Sequence, residues 1–373
     1  MEQKVIYNGQ ILTLTHFWAT GEPCLWITDP QQIEMPKMEF VGGRPDEYCI
    51  FLKNLTETEL AQITSLDGAR LDVREELRQF LTGKDNPMAL QDKKIMPPPW
   101  MAFPEIERYS IGWRMGYGED YIYRFGDWLD TLSPDEQTEY RTLFPEPVTW
   151  KGWWEDEDSG EVLVHGDFLV EAWQPEGRPK YTRQWLQQEF AAGRKRELCL
   201  FWGHQPSQDG QLTKSCLSQW WMEDFYTTAA PYLCMEQYMM AAKAELFGDK
   251  EIRDQILKCS DQKQIKALGR KVRGFDQKVW DKFKYAIVLN GNWCKFSQNR
   301  NLREFLLSTG DSVLAEASPY DNIWGIRLSA NSLEAQDPMK WRGQNLLGFA
   351  LMEVRDELRR VTQNEMLCDW NAV

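Results

Sequence analysis

Glu236 and Lys243 lie within an apolar run from Tyr232 to Ala244. On a helix, seven residues come close to two full turns, so the two side chains share a face with Met240 between them. A carboxylate and an ammonium on a largely buried helix are costly unless paired or used. Two readings follow: a buried ion pair, or a general acid/base whose proton affinity is set by burial and a neighbouring lysine. The three histidines are His16, His165 and His204, and none follows position 204. Acid–base chemistry in the C-terminal half therefore falls to carboxylates or lysines.

Asp321 stands in a Pro-containing loop with Trp324 and Gly325 just behind it. Alone, an aspartate in such a loop makes turn hydrogen bonds. The cluster of a carboxylate, a large aromatic and a glycine also suits recognition of a flat ring and a sugar hydroxyl. Trp280, with Phe283 and Ile287 on the same helix face, reads alone as core. Lys266, Arg270, Lys271 and Arg273 fall at a helix end and in the turn after it. They serve either to compensate the helix dipole or to seat a phosphate. The net charge of −14 is unevenly spread. Residues 1–196 carry about −13 and residues 197–373 about −1, while 253–303 is locally basic at about +9. The acidity of the first part argues against broad contact between it and nucleic-acid phosphates.

The elements that must hold these residues follow from pattern. Positions 4–7, 10–15, 24–27 and 48–52 are short, β-branched or aromatic, and separated by Gly and Asn turns, which predicts strands. A Thr56/Glu59 capping signal opens a predicted helix over 56–66, and a second covers 72–81. Pro97 to Pro99 mark a loop. Part of 128–144 is predicted helical from about Ser133, 150–173 turn-rich and strand-like, and 181–192 helical. Beyond a short strand at 198–202, helices are predicted over 233–247, 249–258, 260–270, 276–289 (stopped at Asn290 and Gly291), 299–307 and 343–361. A strand is predicted at 313–317. The fold class is α+β, with a mixed, strand-rich acidic domain over 1–194 and a mainly helical domain over 195–373.

Eight scattered cysteines without a Cys-x-x-Cys pair point to thiols of a cytoplasmic protein and away from a metal. No stretch of about 18 apolar residues predicts a membrane span, and the first residues do not read as a signal peptide.

Taken in order, several segments resemble the NADAR family. They are Phe201 to His204, Leu217 to Trp220, Met235 to Lys243, Lys266 to Arg270, Val279-Trp280, Lys295 to Asn299, Glu316 to Gly325 and Trp341 to Gly348. The resemblance covers most of 198–360. It implies an α-helical NADAR fold and N-glycosidase activity. Family members are associated with cleaving ADP-ribose from guanine, including as antitoxins to DNA-modifying ADP-ribosyltransferases; others act on phosphoribosylated intermediates of riboflavin synthesis. By the resemblance, the family's key glutamate falls on Glu236, its aspartate on Asp321, and its two tryptophans on Trp280 and Trp324. Trp220, Gly325 and Asn345 are carried over as substrate-binding. Where many members have Glu-His-Tyr, this chain has Glu236, Gln237 and Tyr238.

The expected chemistry is hydrolysis of an N-glycosidic bond, which needs a carboxylate near the sugar, a proton donor for the leaving base and a positioned water. Glu236 takes the acid/base role and Asp321 positions water or a ribose hydroxyl. Trp280 and Trp324 enclose base and sugar, and Lys266 and Arg270 meet the pyrophosphate. Lys243 either sets the charge of Glu236 or attacks a ring-opened sugar as a Schiff base. No cofactor is called for. The expected partners are ADP-ribose or ADP-ribosylated guanine in nucleic acid, and a cognate ADP-ribosyltransferase toxin. The rival expectations are cleavage of phosphoribosylated riboflavin precursors and ADP-ribose binding without cleavage.

Overall fold

The computed structural model describes residues 3–16, 23–27, 37–40, 48–66, 68, 71, 73, 90, 93–155 and 165–373. The chain divides into two compact units, Met1–Lys93 and Lys94–Val373. The boundary expected at 194/195 thus falls inside the second unit. Among the described residues, no helix is long and apolar enough to cross a membrane.

In the first unit, β1 (Gln3–Tyr7), β2 (Gln10–His16), β3 (Pro23–Ile27), β4 (Glu39–Phe40), β5 (Tyr48–Phe51) and β6 (Thr64–Ser65) form an antiparallel sheet in the order β4-β5-β3-β2-β1-β6. Asn8 and Gly9, both at positive φ, make the tight β1–β2 turn, as an Asn-Gly pair between alternating strands favours. Val5, Tyr7, Leu12, Leu14, Leu25, Ile27 and Ile50 are buried together. The helix predicted over 56–66 is only one turn, α1 (Glu57–Leu60). Its capping bonds form, Thr56 N to Glu59 Oε2 and Glu59 N to Thr56 Oγ1. The chain then leaves the helix so that Ile63 is buried and Thr64–Ser65 pairs with β1. Of the helix predicted over 72–81, only Val73 is among the described residues.

The second unit opens with α2 (Pro99–Ala102), α3 (Tyr117–Asp130), α4 (Pro134–Leu143), α5 (His165–Trp173) and α6 (Arg183–Ala191). α4 starts at Ser133, as predicted, and Ser133 caps it in a reciprocal box with Glu136. Residues 165–173, predicted strand-like, are helical. A short apolar run fits either period, and here Leu169 and Trp173, four apart, are buried in the main core. Then follow β7 (Leu198–Phe201), β8 (Phe225–Tyr226), β9 (Pro231–Tyr232), α7 (Met235–Leu246), α8 (Lys250–Leu257), α9 (Gln262–Gly269), α10 (Gln277–Gln298), α11 (Arg300–Ser308), β10 (Val313–Glu316) and α12 (Leu346–Thr362). Asp249, Asp261 and Asp276 start α8, α9 and α10 by accepting from Ile252 N, Gln264 N and Val279 N, the usual satisfaction of free helix N–H groups.

The predicted stop of α10 at Asn290 and Gly291 is wrong; the helix runs on to Gln298. Gly291 serves close packing instead, since a Cβ there would come within 2.5 Å of the Tyr238 ring. β7 and β10 form a two-stranded parallel pair, with Phe201 beside Glu316. The core packs α7, α10 and α12 around that pair.

Candidate active site

Helix α7 presents Glu236, Met239, Met240 and Lys243 to one cavity, the i, i+3, i+4, i+7 spacing of a single helix face. Because β7 and β10 are parallel and in register, the loops after Phe201 and Glu316 leave from the same end, where parallel strands commonly present ligand sites. In the loop after β10, Asp321 Oδ1 accepts from Ile323 N and Trp324 N, both at 2.8 Å. This turn directs Trp324 and Ile323 to the cavity. The remaining walls are Gln219 and Trp220 before β8, and Lys266, Gly269 and Arg270 at the end of α9.

Four bonds fix the 216–220 segment. Glu236 N donates to Gln219 O at 2.9 Å. Gln262 Nε2 donates to Trp220 O at 2.8 Å. The fully buried Lys295 donates from Nζ to Cys216 O and Ser218 O at 2.7 and 3.2 Å. Burial lowers the Lys295 pKa to about 8.

The cavity has a volume near 260 Å³, and a second lobe near 250 Å³ adjoins it. Trp220, Lys266, Glu316 and Asp321 line both lobes, while Trp202, His204 and Tyr320 belong to the second alone. Each lobe is below the usual size of a small-molecule site, about 300–1,000 Å³.

Glu236 is 6% exposed. Burial pushes its pKa up to about 7; the Lys266 charge opposes this and Asp321 adds to it. Glu316 is pushed up to about 8 by burial, by Asp321 and by Glu236, again opposed by Lys266. Its Oε2 is buried without a hydrogen-bond partner, as is Oε1 of Gln219. Unpaired buried acceptors are uncommon and call for a reason. Glu316 and Gln219 stand inside quoted motifs, yet their sequence surroundings give neither a role. Only the convergence of distant segments reveals them.

The residues singled out from sequence are distributed as follows. Glu236, Lys243, Asp321, Trp220, Trp324, Lys266 and Arg270 all line the first lobe. Trp280 is not among its lining residues; its ring lies 5.8 Å from Lys243 Nζ, beside Phe275 at 4.1 Å. Lys243 makes no ion pair with Glu236, donating instead to Gly269 O at 3.0 Å, and burial lowers its pKa. The lysine whose charge Glu236 feels is Lys266. Gly325 sits behind the loop, where a Cβ would approach Glu316 O to 2.8 Å. Asn345 is fully buried; its Oδ1 accepts from Glu316 N at 3.0 Å and its Nδ2 donates to Leu314 O at 2.9 Å. Gly325 and Asn345 therefore support Glu316 from behind and do not line either lobe. Arg273 is held by Asp249 and Glu251.

Gln237, the departure from Glu-His-Tyr, points away from the cavity. Its Oε1 accepts from Leu233 N, and its Nε2 donates to Ile256 O and Cys259 O, both at 3.0 Å. It fastens the end of α8. Among the described residues, no group of His, Cys, Asp and Glu is arranged to hold a metal ion.

A buried and a partly buried carboxyl of raised proton affinity, two partly buried indoles and nearby cations line one concavity, an arrangement able to do acid–base chemistry. A family model described as the NADAR domain matches residues 200–359. N-glycosidase R617 of Acanthamoeba polyphaga mimivirus is 49% identical over 145 residues, which is 38% of this chain and 85% of the relative. N-glycosidase Npun_R5314 of Nostoc punctiforme is 31% identical over 146 residues, 39% of this chain and 86% of the relative. The solved structure of E. coli YbiA is 24% identical with a TM-score of 0.35, covering 44% of this chain and 86% of that one. The chain belongs to the NADAR family.

Proposed function

We propose that this protein is an N-glycosidase that hydrolyses the bond between ADP-ribose and guanine, acting on ADP-ribosylated guanine in nucleic acid and serving as antitoxin to an ADP-ribosyltransferase. One observation carries the reading: a glutamate buried to 6% exposure, with its proton affinity raised to about 7, faces a cavity that also holds Asp321, Trp324 and Trp220. The N-glycosidases among its relatives support the same bond type.

Breaking a C1′–N bond builds positive charge on the sugar and negative charge on the base. Glu236 takes the acid/base role near C1′, where its carboxylate form also stabilises the sugar cation. Asp321 has its Oδ1 engaged in the loop turn; it is assigned to orient the water or a ribose hydroxyl. The indoles of Trp220 and Trp324 enclose the flat parts of the substrate. Lys266 and Arg270, both exposed at the rim, are assigned to the pyrophosphate. Trp280 acts through Lys243 and has no direct role. Lys243, engaged by Gly269 O and the Phe275 ring, is assigned to substrate binding and not to a Schiff base.

The test is release of free guanine from ADP-ribosylated DNA, followed by mass spectrometry. Wild-type protein is expected to release it, and Glu236→Gln to lose on the order of a hundredfold or more in rate. Near-normal turnover by a folded Glu236→Gln variant would falsify the assignment. Tight ADP-ribose binding with no guanine released would make the protein a binding module. Cleavage confined to a phosphoribosylated pyrimidine would move the substrate to the riboflavin pathway.

A further inference from the structure

We infer that Glu316 is a second catalytic carboxyl, the acid that protonates the leaving nitrogen, while Glu236 accepts the proton of the attacking water. The inference rests on the N-glycosidase reading above and divides between two residues the work it gave to one.

Position is the first ground. The bond to be broken joins two bulky parts of the substrate, and the concavity has two lobes. A proton donor for that bond must reach the junction. Glu236 lines only the first lobe, whereas Glu316 lines both. Of the other groups common to both lobes, Trp220 carries no transferable acidic proton and Lys266 is an exposed cation. Asp321 has one oxygen committed to two backbone N–H groups.

The second ground is the unpartnered oxygen. Glu316 Oε2 is buried with no hydrogen-bond partner, although its own backbone is held firmly: Asn345 Oδ1 accepts from its N–H, and Ile326 N donates to its carbonyl at 2.9 Å. A fixed residue with an unsatisfied carboxyl oxygen costs stability unless a ligand or a proton occupies it.

Charge is the third. Glu236, Glu316 and Asp321 face one another with Lys266 as the cation acting on both glutamates; Lys243 and Arg270 line the first lobe and His204 the second. Two glutamates set close together beside Asp321 cannot both ionise cheaply, so the pair retains a proton at neutral pH. Both glutamates are pushed up by burial, and Glu316 feels two facing carboxylates, Asp321 and Glu236; its unpartnered oxygen is where the proton is assigned.

In the step itself, the C1′–N bond breaks and its electron pair goes to nitrogen. That nitrogen takes the proton from the Glu316 carboxyl. Water oxygen bonds to C1′ and its released proton passes to Glu236. Return of a proton from Glu236 to Glu316 through solvent restores the enzyme; one water is consumed and nothing is oxidised or reduced.

The test uses the full chain and two substrates, ADP-ribosyl-guanine and ADP-ribose carrying a 4-nitrophenyl leaving group, which departs without protonation. Glu316→Gln is expected to lose about a hundredfold on the guanine substrate, less than about tenfold on the activated one, and the alkaline limb of its pH–rate profile. Glu236→Gln is expected to lose rate on both. Equal losses by Glu316→Gln on the two substrates, or an unchanged alkaline limb, overturn the inference. Infrared difference spectra of wild type minus Glu316→Gln at neutral pH give a readout independent of turnover. A protonated-carboxyl band assigned to Glu316 is expected, and carboxylate bands alone overturn its role as acid. If wild type cleaves no N-glycoside, the activity reading fails, and the infrared band still decides whether Glu316 holds the proton.

Discussion

At the scale of single residues, the site gives up stability for reactivity. Glu236 and Glu316 have folded-state pKa values near 7 and near 8, against about 4.3 for an unfolded glutamate. Between those values the folded chain binds more protons than the unfolded chain. Stability therefore falls as pH rises through that window and levels off above about 8. Below about 4 both states are protonated and the contribution is constant. Glu316→Gln removes one such group. Its Tm is expected to exceed that of wild type by a few degrees at pH 8.5 and to approach it at pH 5, read by differential scanning fluorimetry. An equal difference at both pH values would mean that Glu316 is ionised in the folded protein.

At the scale of elements, the first lobe depends on how closely α7 and α9 approach. A Cβ at Gly269 would lie 2.0 Å from Met240 Sδ and 3.3 Å from Met240 Cβ, so swinging the thioether alone gives only partial relief. Gly269 O also accepts the Lys243 bond, and Met240 lines the lobe. Gly269→Ala is expected to cost about 1–3 kcal/mol, as overpacking of a close-packed contact does. It should also raise KM more than it lowers kcat, because the displaced methionine enters the ligand space. Chemical denaturation and steady-state kinetics check the two parts; unchanged stability would show that the helices separate freely.

For the whole molecule, the question is what the catalytic unit includes. Residues 94–194 are tied into it. Glu353 Oε1 accepts from Tyr285 OH at 2.8 Å and from Lys180 N at 2.9 Å. Val148 N donates to Glu357 Oε1 at 2.7 Å, and Asn364 Nδ2 to Leu143 O at 2.8 Å. Leu169, Trp173 and Leu186 lie in the same core as α10 and α12. A fragment 94–373 is expected to melt cooperatively and keep turnover. A fragment 195–373, the mainly helical domain expected from the sequence, is expected to expose that core face and to aggregate or melt far lower. Calorimetry on both fragments decides; a stable, active 195–373 would show these ties to be dispensable.

Local pattern was enough to give the β1–β2 hairpin, the Ser133 cap, the sequence of helices from α7 to α12, and the single face joining Glu236 to Lys243. These depend on neighbours within a few turns of chain, which the order of residues specifies directly. The ordered motifs also carried the family. What the sequence alone could not decide were relations between distant segments. Glu316 and Gln219 meet Glu236 only because β10 lies parallel to β7 and the 216–220 segment is held by Lys295. Trp280, Gly325 and Asn345 share the motifs but not the cavity lining, since a motif records neighbours in the chain and not the direction of a side chain in space. The compact units divide at Lys93/Lys94 while charge and pattern change near residue 194, because charge varies on the surface and cohesion depends on a buried core. The proton affinities belong wholly to the folded state, since burial and facing charges, which no local stretch contains, are what set them.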